Sequence, residues 1–179
     1  LELLKEEYPE DKFYFIIGAD SLFQLETWYH PEKVMELTSL LVSGREYDRL
    51  YTAPDAKAVM VSYADEVEDV LTAAKLLGKE NVPCDVYKLV KIYPFTPELI
   101  SEISRYDVVL FAEECVACGG IGEHLEMALQ KAGWQGAYIH RGVEDVRLPH
   151  ATVPQIKQST GLDAEHLAQA IRTWKGAES

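Results

Sequence analysis

Between residues 58 and 174 the sequence keeps one rhythm, in which a short strand-like run is followed by a longer stretch with helical character. Strands read at 58–62 (AVMVS), 84–90, 108–112 and 136–140. Helices read at 65–77, from Pro94 to 103, and at 121–132, 153–159 and 164–174. In the first helix, with Asp65 as its cap, Val67, Val70, Leu71, Ala74 and Leu77 share one face. Strands that alternate with helices in this way predict a mostly parallel sheet, covered on both sides and joined by right-handed crossovers. The expected class is α/β, a three-layer α/β/α arrangement on a mostly parallel five-stranded sheet.

A shorter pattern precedes it. Residues 13–17 read as a strand, Ser21 opens a short helix, Pro31 is a good first helical residue before 32–37, and 40–42 is a second strand. The text GREYDRLYTAP, 44–54, is charged and unpatterned and reads as a boundary, which gives two segments, 1–50 and 51–179. No internal repeat or low-complexity tract is visible.

Composition narrows the partners. The 179 residues carry a formal charge of −13, with no Lys/Arg cluster longer than a pair, which argues against nucleic acid or an anionic membrane surface. No apolar run reaches the roughly 18 residues of a membrane span. The opening, LELLKEEYPED, is an acidic amphipathic helix end rather than a signal peptide. It starts inside a helical pattern, at Leu1, Leu3 and Leu4, so the chain is expected to begin in mid-domain, and the expected location is cytoplasmic. Three cysteines, Cys84, Cys115 and Cys118, leave an odd thiol and do not suit a disulfide framework.

Several residues invite chemistry. Gly18-Ala19-Asp20 follows a strand and precedes a helix start, where backbone N–H groups converge. Asp20 there suits ribose hydroxyls and Trp28 suits a flat heterocycle, or Asp20 or Ser21 caps the helix and Trp28 fills core. Gly119, Gly120 and Gly122, in GGIG, form a candidate anion turn or serve close strand–helix approach. Cys115-Val116-Ala117-Cys118 at a helix start is a redox pair, half a zinc site or incidental thiols. His150 faces a neighbouring site, or is exposed or capping. Glu113 and Glu114 are an acid/base pair, or one is solvated while the other accepts N–H groups of the glycine turn.

Two resemblances sharpen this. FYFIIGADSLFQLETWYHPEKVMELTSLLVSGRE resembles the second half of bacterial nicotinate-nucleotide adenylyltransferase, on the GADS turn and the Trp-Tyr pair. The resemblance implies that Gly18 and Asp20 lie against adenosine and that Trp28 and Tyr29 pack on the nicotinate ring. That family also uses a Gly-rich strand end, a His-x-x-His motif and a later Ser-Ser-Thr-x-Ile-Arg motif to hold the triphosphate; none occurs in this sequence.

From Thr52 onward, the order of AVMVSYADEVEDVLTAAKLL, CDVYKLVKIYPFTPELI, YDVVLFAEECVACGGIGEHLEMAL and LPHATVPQIKQSTGLDAEHLAQAI resembles the C-terminal domain of 1-deoxy-D-xylulose-5-phosphate synthase and the wider transketolase group. The marks are Glu113-Glu114, the Gly-Gly-x-Gly turn, Pro94, and Pro149-His150 ahead of Gly161-Leu162-Asp163. Two departures are Ala151 after Pro149-His150, and Ala64 where a Gly is common. The resemblance implies a docking domain that helps a homodimer form. Thiamine diphosphate and Mg sit between two preceding domains that this sequence does not contain, so the chain alone is expected to bind no cofactor or metal and to be inactive. The expected whole is a chimera of a nucleotidyltransferase-like βα fragment and a transketolase C-terminal domain, with isoprenoid-precursor synthesis as the parent role and adenylyl transfer in pyridine nucleotide synthesis as the alternative.

Overall fold

The computed structural model describes residues 1–18, 25–43, 46–144, 147–148 and 150–177. The chain divides into two compact units, Leu1–Arg45 and Glu46–Ser179.

The smaller unit holds helix α1 (Glu2–Glu7), strand β1 (Tyr14–Gly18), a 3-10 turn (Leu25–Thr27), helix α2 (Pro31–Leu37) and strand β2 (Ser39–Ser43). Strands β1 and β2 pair in parallel, Tyr14 opposite Ser39 through Gly18 opposite Ser43. Proline at the start of α2 behaves as expected, since its missing N–H is one the first turn leaves unused. The helix expected from Ser21 lies outside the described residues. With two strands, the unit leaves Ile16 72% and Tyr14 58% exposed.

The larger unit runs β3 (Tyr47–Tyr51), β4 (Ala58–Ser62), α3 (Glu66–Lys79), β5 (Cys84–Leu89), α4 (Pro97–Ile103), β6 (Val108–Val116), α5 (Ile121–Lys131), β7 (Ala137–Val143), α6 (Val153–Thr160) and α7 (Ala164–Ala177). The five strands form one sheet in the order β3-β5-β4-β6-β7. Four are parallel, while β3 joins β5 antiparallel at the edge.

Alternation along the strands builds two cores. Ala58, Met60, Val86, Leu110 and Ala112 point to one face, where Val70, Ala74 and Leu77 of α3 and Leu167 and Ile171 of α7 cover them. Val59, Val61, Tyr87, Val109 and Phe111 point to the other, under Leu99 and Ile103 of α4 and Leu125 and Leu129 of α5. The result is the three-layer α/β/α arrangement on a mostly parallel five-stranded sheet.

Three local readings change. The stretch 44–54 contains strand β3, whose side chains are largely exposed because it pairs only with β5, at the sheet edge, so no apolar alternation marks it. The chain's compact units accordingly part before β3. Strand β6 runs four residues beyond Ala112, since pairing with β7 resumes at Val116 opposite Val143 after an irregularity. Asp65 stands at the amino-terminal end of α3 but its side chain makes no capping hydrogen bond. Among the described residues no helix is long and apolar enough to cross a membrane.

Candidate functional site at the carboxyl end of the sheet

The chain passes from β4 out to β5 and then back across β4 to β6. Helix α3 therefore leaves on one face of the sheet and α5 on the other, and the gap between the carboxyl ends of β4 and β6 is the switch point where open α/β sheets take ligands. The residues at that gap are Ser62, Tyr63 and Ala64 on one side and Glu113, Glu114 and Cys115 on the other. Ser62 ties the two strand ends through a hydrogen bond from its Oγ to Ala112 O, 2.9 Å. Ala64 holds the left-handed conformation, φ 52°, which explains why glycine suits this turn.

Glu113 is fully buried on the α5 side. Its Oε1 accepts the Gly122 N–H at 2.9 Å and lies 2.8 Å from His140 Nε2. Its Oε2 accepts the Ile121 N–H at 3.2 Å and the Tyr63 hydroxyl at 2.9 Å. Burial pushes this carboxyl up, but His140, Gly122, Tyr63 and Ile121 outweigh burial and hold it below the usual carboxylate range. Burial, with Cys115 and Glu113 beside it, pushes the Tyr63 phenol up, which keeps it a donor.

The glycine turn is therefore already filled. Besides the two donors given to Glu113, the Gly119 N–H donates to Glu123 at 2.9 Å and the Gly120 N–H to Ala117 O at 3.1 Å. The anion at the amino-terminal end of α5 is the chain's own carboxylate, as the reading of one glutamate accepting from this turn expects. Close approach is what requires two of the glycines, whereas Gly119 holds a left-handed φ of 75°. A Cβ at Gly122 would overlap the His140 ring, and one at Gly120 would overlap the Glu113 carboxylate.

Glu114, next along β6, points to the opposite face. There the Lys157 ammonium of α6 lies 2.7 Å from Glu114 Oε1, 2.7 Å from Asp69 Oδ2 and 3.0 Å from Glu66 Oε2. Glu66 is 1% exposed; its Oε2 shares the Lys157 ammonium with the other two carboxylates, and its Oε1 has no hydrogen-bond partner among the described residues. Burial pushes it up to about 7, against the pull of Lys157 and with help from Asp69 and Glu114. Sequence reasoning missed this cluster. Its only signal is the pairing of distant charges, which spacing does not reveal.

A second buried carboxylate, also missed, secures the edge strand. Asp85 of β5 accepts the Ala53 N–H at 2.8 Å and the Tyr106 hydroxyl at 2.6 Å, and pairs with Arg49 of β3. Its side chain is fully buried.

The remaining sequence candidates are spread out. Cys115 is still in β6 and Cys118 is in the turn before α5, so the pair does not start a helix as expected; both are exposed. The Tyr63 hydroxyl lies 3.5 Å from Cys115 Sγ. His150 is exposed ahead of α6, and Pro149 lies outside the described residues. In the smaller unit Gly18 ends β1, and Asp20 lies outside the described residues. Trp28 is half-buried with its ring edge-on to Phe15 of β1 at 5.9 Å, while Tyr29 is 90% exposed. The structure sends these two neighbouring rings in different directions.

A diphosphate with its divalent metal finds no matching donor set here. Among the described residues no group of three or more His, Cys, Asp or Glu side chains is arranged to hold a metal ion. The α5 amino-terminal N–H groups that would take a diphosphate are engaged by Glu113. The described residues do not fit that cofactor.

Curated relatives of two kinds match the chain. A 1-deoxy-D-xylulose-5-phosphate synthase of Thermotoga maritima is 33% identical over 147 residues, 80% of this chain and 23% of that protein. A probable nicotinate-nucleotide adenylyltransferase of Lachnoclostridium phytofermentans is 54% identical over 46 residues, 26% of this chain and 22% of that protein. The chain thus spans less than a quarter of the length of these curated relatives. A solved structure described as a split gene transketolase, inactive beta4 tetramer, matches with a TM-score of 0.63 at 20% identity, over 89% of this chain and 56% of that one, a likeness of fold. Residues 50–167 match the family model described as transketolase, C-terminal domain, and the chain belongs to that family.

Proposed function

We propose that the larger unit is the non-catalytic docking and dimerisation domain of a thiamine diphosphate-dependent, 1-deoxy-D-xylulose-5-phosphate synthase-like transketolase, fused to a nicotinate-nucleotide adenylyltransferase-like fragment. One observation carries this reading. Eight large apolar side chains are exposed among the described residues of the larger unit, and six of them belong to the carboxyl end of the parallel strands. Val90, Ile92 and Tyr93 follow β5, Val116 ends β6, and Leu148 and Val153 follow β7, with exposures from 38% to 63%. Exposed apolar residues gathered at one end of a domain mark a contact surface.

The chemistry at the same end supports a scaffold rather than a reaction centre. Glu113 spends all its accepting capacity on the fold, and the switch point offers no free donors from the glycine turn. The neighbour described as an inactive beta4 tetramer is in keeping with self-association of such a chain without turnover. The adjoining fragment carries half of an adenosine and nicotinate site by resemblance, at Gly18, Asp20, Trp28 and Tyr29, and is vestigial in this reading. The setting is cytoplasmic.

Light scattering after size exclusion at tens of micromolar, with and without the two preceding domains of such a synthase supplied as a separate chain, tests the claim. A dimer, or a stable complex with those domains that Ile92→Glu and Val116→Glu abolish, is the expected result. A strict monomer that binds neither would end it.

The second reading, adenylyl transfer to nicotinate mononucleotide, draws on the exposed Tyr29 ring beside Trp28. Titrating ATP or nicotinate mononucleotide against tryptophan fluorescence, with Trp28→Phe as the control, is expected to show no saturable change. Quenching that Asp20→Ala removes would favour this second reading instead.

A further inference from the structure

Helix α6 is an unusual attachment. None of its side chains is fully buried, Val153 at its start is 63% exposed, and the tie it sends to the body is Lys157, which meets carboxylates from two other elements. Those are Glu66 and Asp69 of α3 and Glu114 of β6. With all three ionised against one ammonium, the cluster holds two net negative charges, and the buried Glu66 carboxylate has only a share of that ammonium, 3.0 Å from its Oε2, while its Oε1 has no partner among the described residues. An ionised buried carboxyl in that position is costly. The shared ammonium offsets part of that cost, and a proton or water offsets the rest.

Water must enter past whichever element yields. The first turns of α3 are fixed by the buried Val67 and Val70, and Glu114 is fixed within β6, which continues on both sides of it. Helix α6 has no comparable anchor within its own length; its first buried neighbour is Leu162, beyond the Gly161 turn. The element that gives way is therefore α6.

We infer that Glu66, Asp69, Glu114 and Lys157 form a proton-operated latch: a proton on Glu66 keeps α6 clamped on the body of the domain, and loss of that proton releases α6. The groups facing Glu66 are Lys157 from α6, Asp69 from its own helix and Glu114 from β6. Because α6 carries Val153 of the apolar end described above, the latch also regulates the docking surface; that part rests on the docking reading, whereas the latch itself does not.

The linkage has a definite sign. In the clamped state Glu66 holds its proton up to about 7, whereas in the released state it is a solvated carboxyl with an ordinary, lower value. Between those values the clamped state binds the extra proton, so release grows as pH rises, by up to roughly tenfold per pH unit, and levels off above about 7.

Amide hydrogen exchange of the free, full chain tests the latch without any docking partner. Protection factors for residues 155–160 are read from pH 5 to 8, with α7 as the internal reference. The expected result is protection of α6 that falls toward neutrality and then flattens while α7 stays constant, and a Glu66→Gln chain whose α6 protection is high and independent of pH. Flat α6 protection in the unmodified chain, or the same fall in Glu66→Gln, overturns the proposal. If Glu66→Gln does not fold, the carboxyl ¹³C titration of Glu66 in the unmodified chain replaces it: a midpoint shared with the α6 amide shifts supports the latch, and midpoints more than one pH unit apart overturn it.

Discussion

The Glu113 carboxylate accepts the backbone N–H of Gly122 at 2.9 Å, so the end of one strand supplies the anion for the start of the next helix. Four donors converge on that one side chain, two from the α5 backbone and one each from Tyr63 and His140. Replacing Glu113 by Ala strands these donors in a dry site, and the expected cost is about 3 kcal/mol. Urea unfolding checks it. Its folded-state value is held low, so its contribution is present above the ordinary carboxylate range and is lost as pH falls through the depressed value. The unmodified chain should therefore lose stability steeply on acidification, and Glu113→Ala should flatten that limb.

Gly122 is needed for space rather than for backbone freedom. It lies within α5, and a methyl group there would run into the His140 ring, which is itself held by Glu113. Gly122→Ala is expected to cost at least about 2 kcal/mol through overpacking. The pair Gly122→Ala with His140→Ala should recover part of that loss, because the second change vacates the space. Additive losses in the double-substituted chain would contradict the steric account.

What was legible in the sequence was whatever the backbone pattern alone decides. β4, β5 and the first half of β6 announce themselves because both faces are buried, and α3 because its apolar residues keep one stripe. β3 was illegible since an edge strand with one partner has nothing to alternate. The site was readable in part. Gly-Gly-x-Gly after an acidic pair already suggests a carboxylate accepting from the turn, and the structure names Glu113 as that carboxylate. The Lys157 cluster and the Arg49–Asp85 pair were out of reach, because their partners lie 88 and 36 residues apart and only the folded sheet brings them together.

Arg49 is the residue that fastens the edge strand. Its guanidinium pairs with the fully buried Asp85 and stacks over the Tyr87 ring, 5.6 Å from the centroid. The Asp85 hydrogen bond holds the guanidinium above its ordinary value. Arg49→Met removes the cation and leaves a buried carboxylate with neutral donors alone, which is expected to cost roughly 3 kcal/mol. Hydrogen exchange locates the damage: the amides of β3 should lose protection first, while those of β4 change only with global stability. Uniform loss across the sheet would mean that Arg49 does not serve β3 in particular.

Ala64 makes the opposite kind of prediction. It turns the chain from β4 into α3 with φ 52°, a conformation in which the Cβ of an L-residue crowds its own backbone at a cost of about 1–2 kcal/mol. Glycine removes that strain but gives the unfolded chain more freedom, which takes back roughly 0.5–1 kcal/mol. Strain is the larger of the two, so Ala64→Gly should stabilise the domain by about 0.5 kcal/mol. The gain should appear as a higher urea midpoint with an unchanged slope. Since Glu66 begins α3 two residues later, its carboxyl titration in the Ala64→Gly chain shows whether the turn also fixes the acid; an unshifted midpoint alongside the raised stability is the expected pairing, and a destabilised chain would show that the left-handed turn carries no strain to relieve.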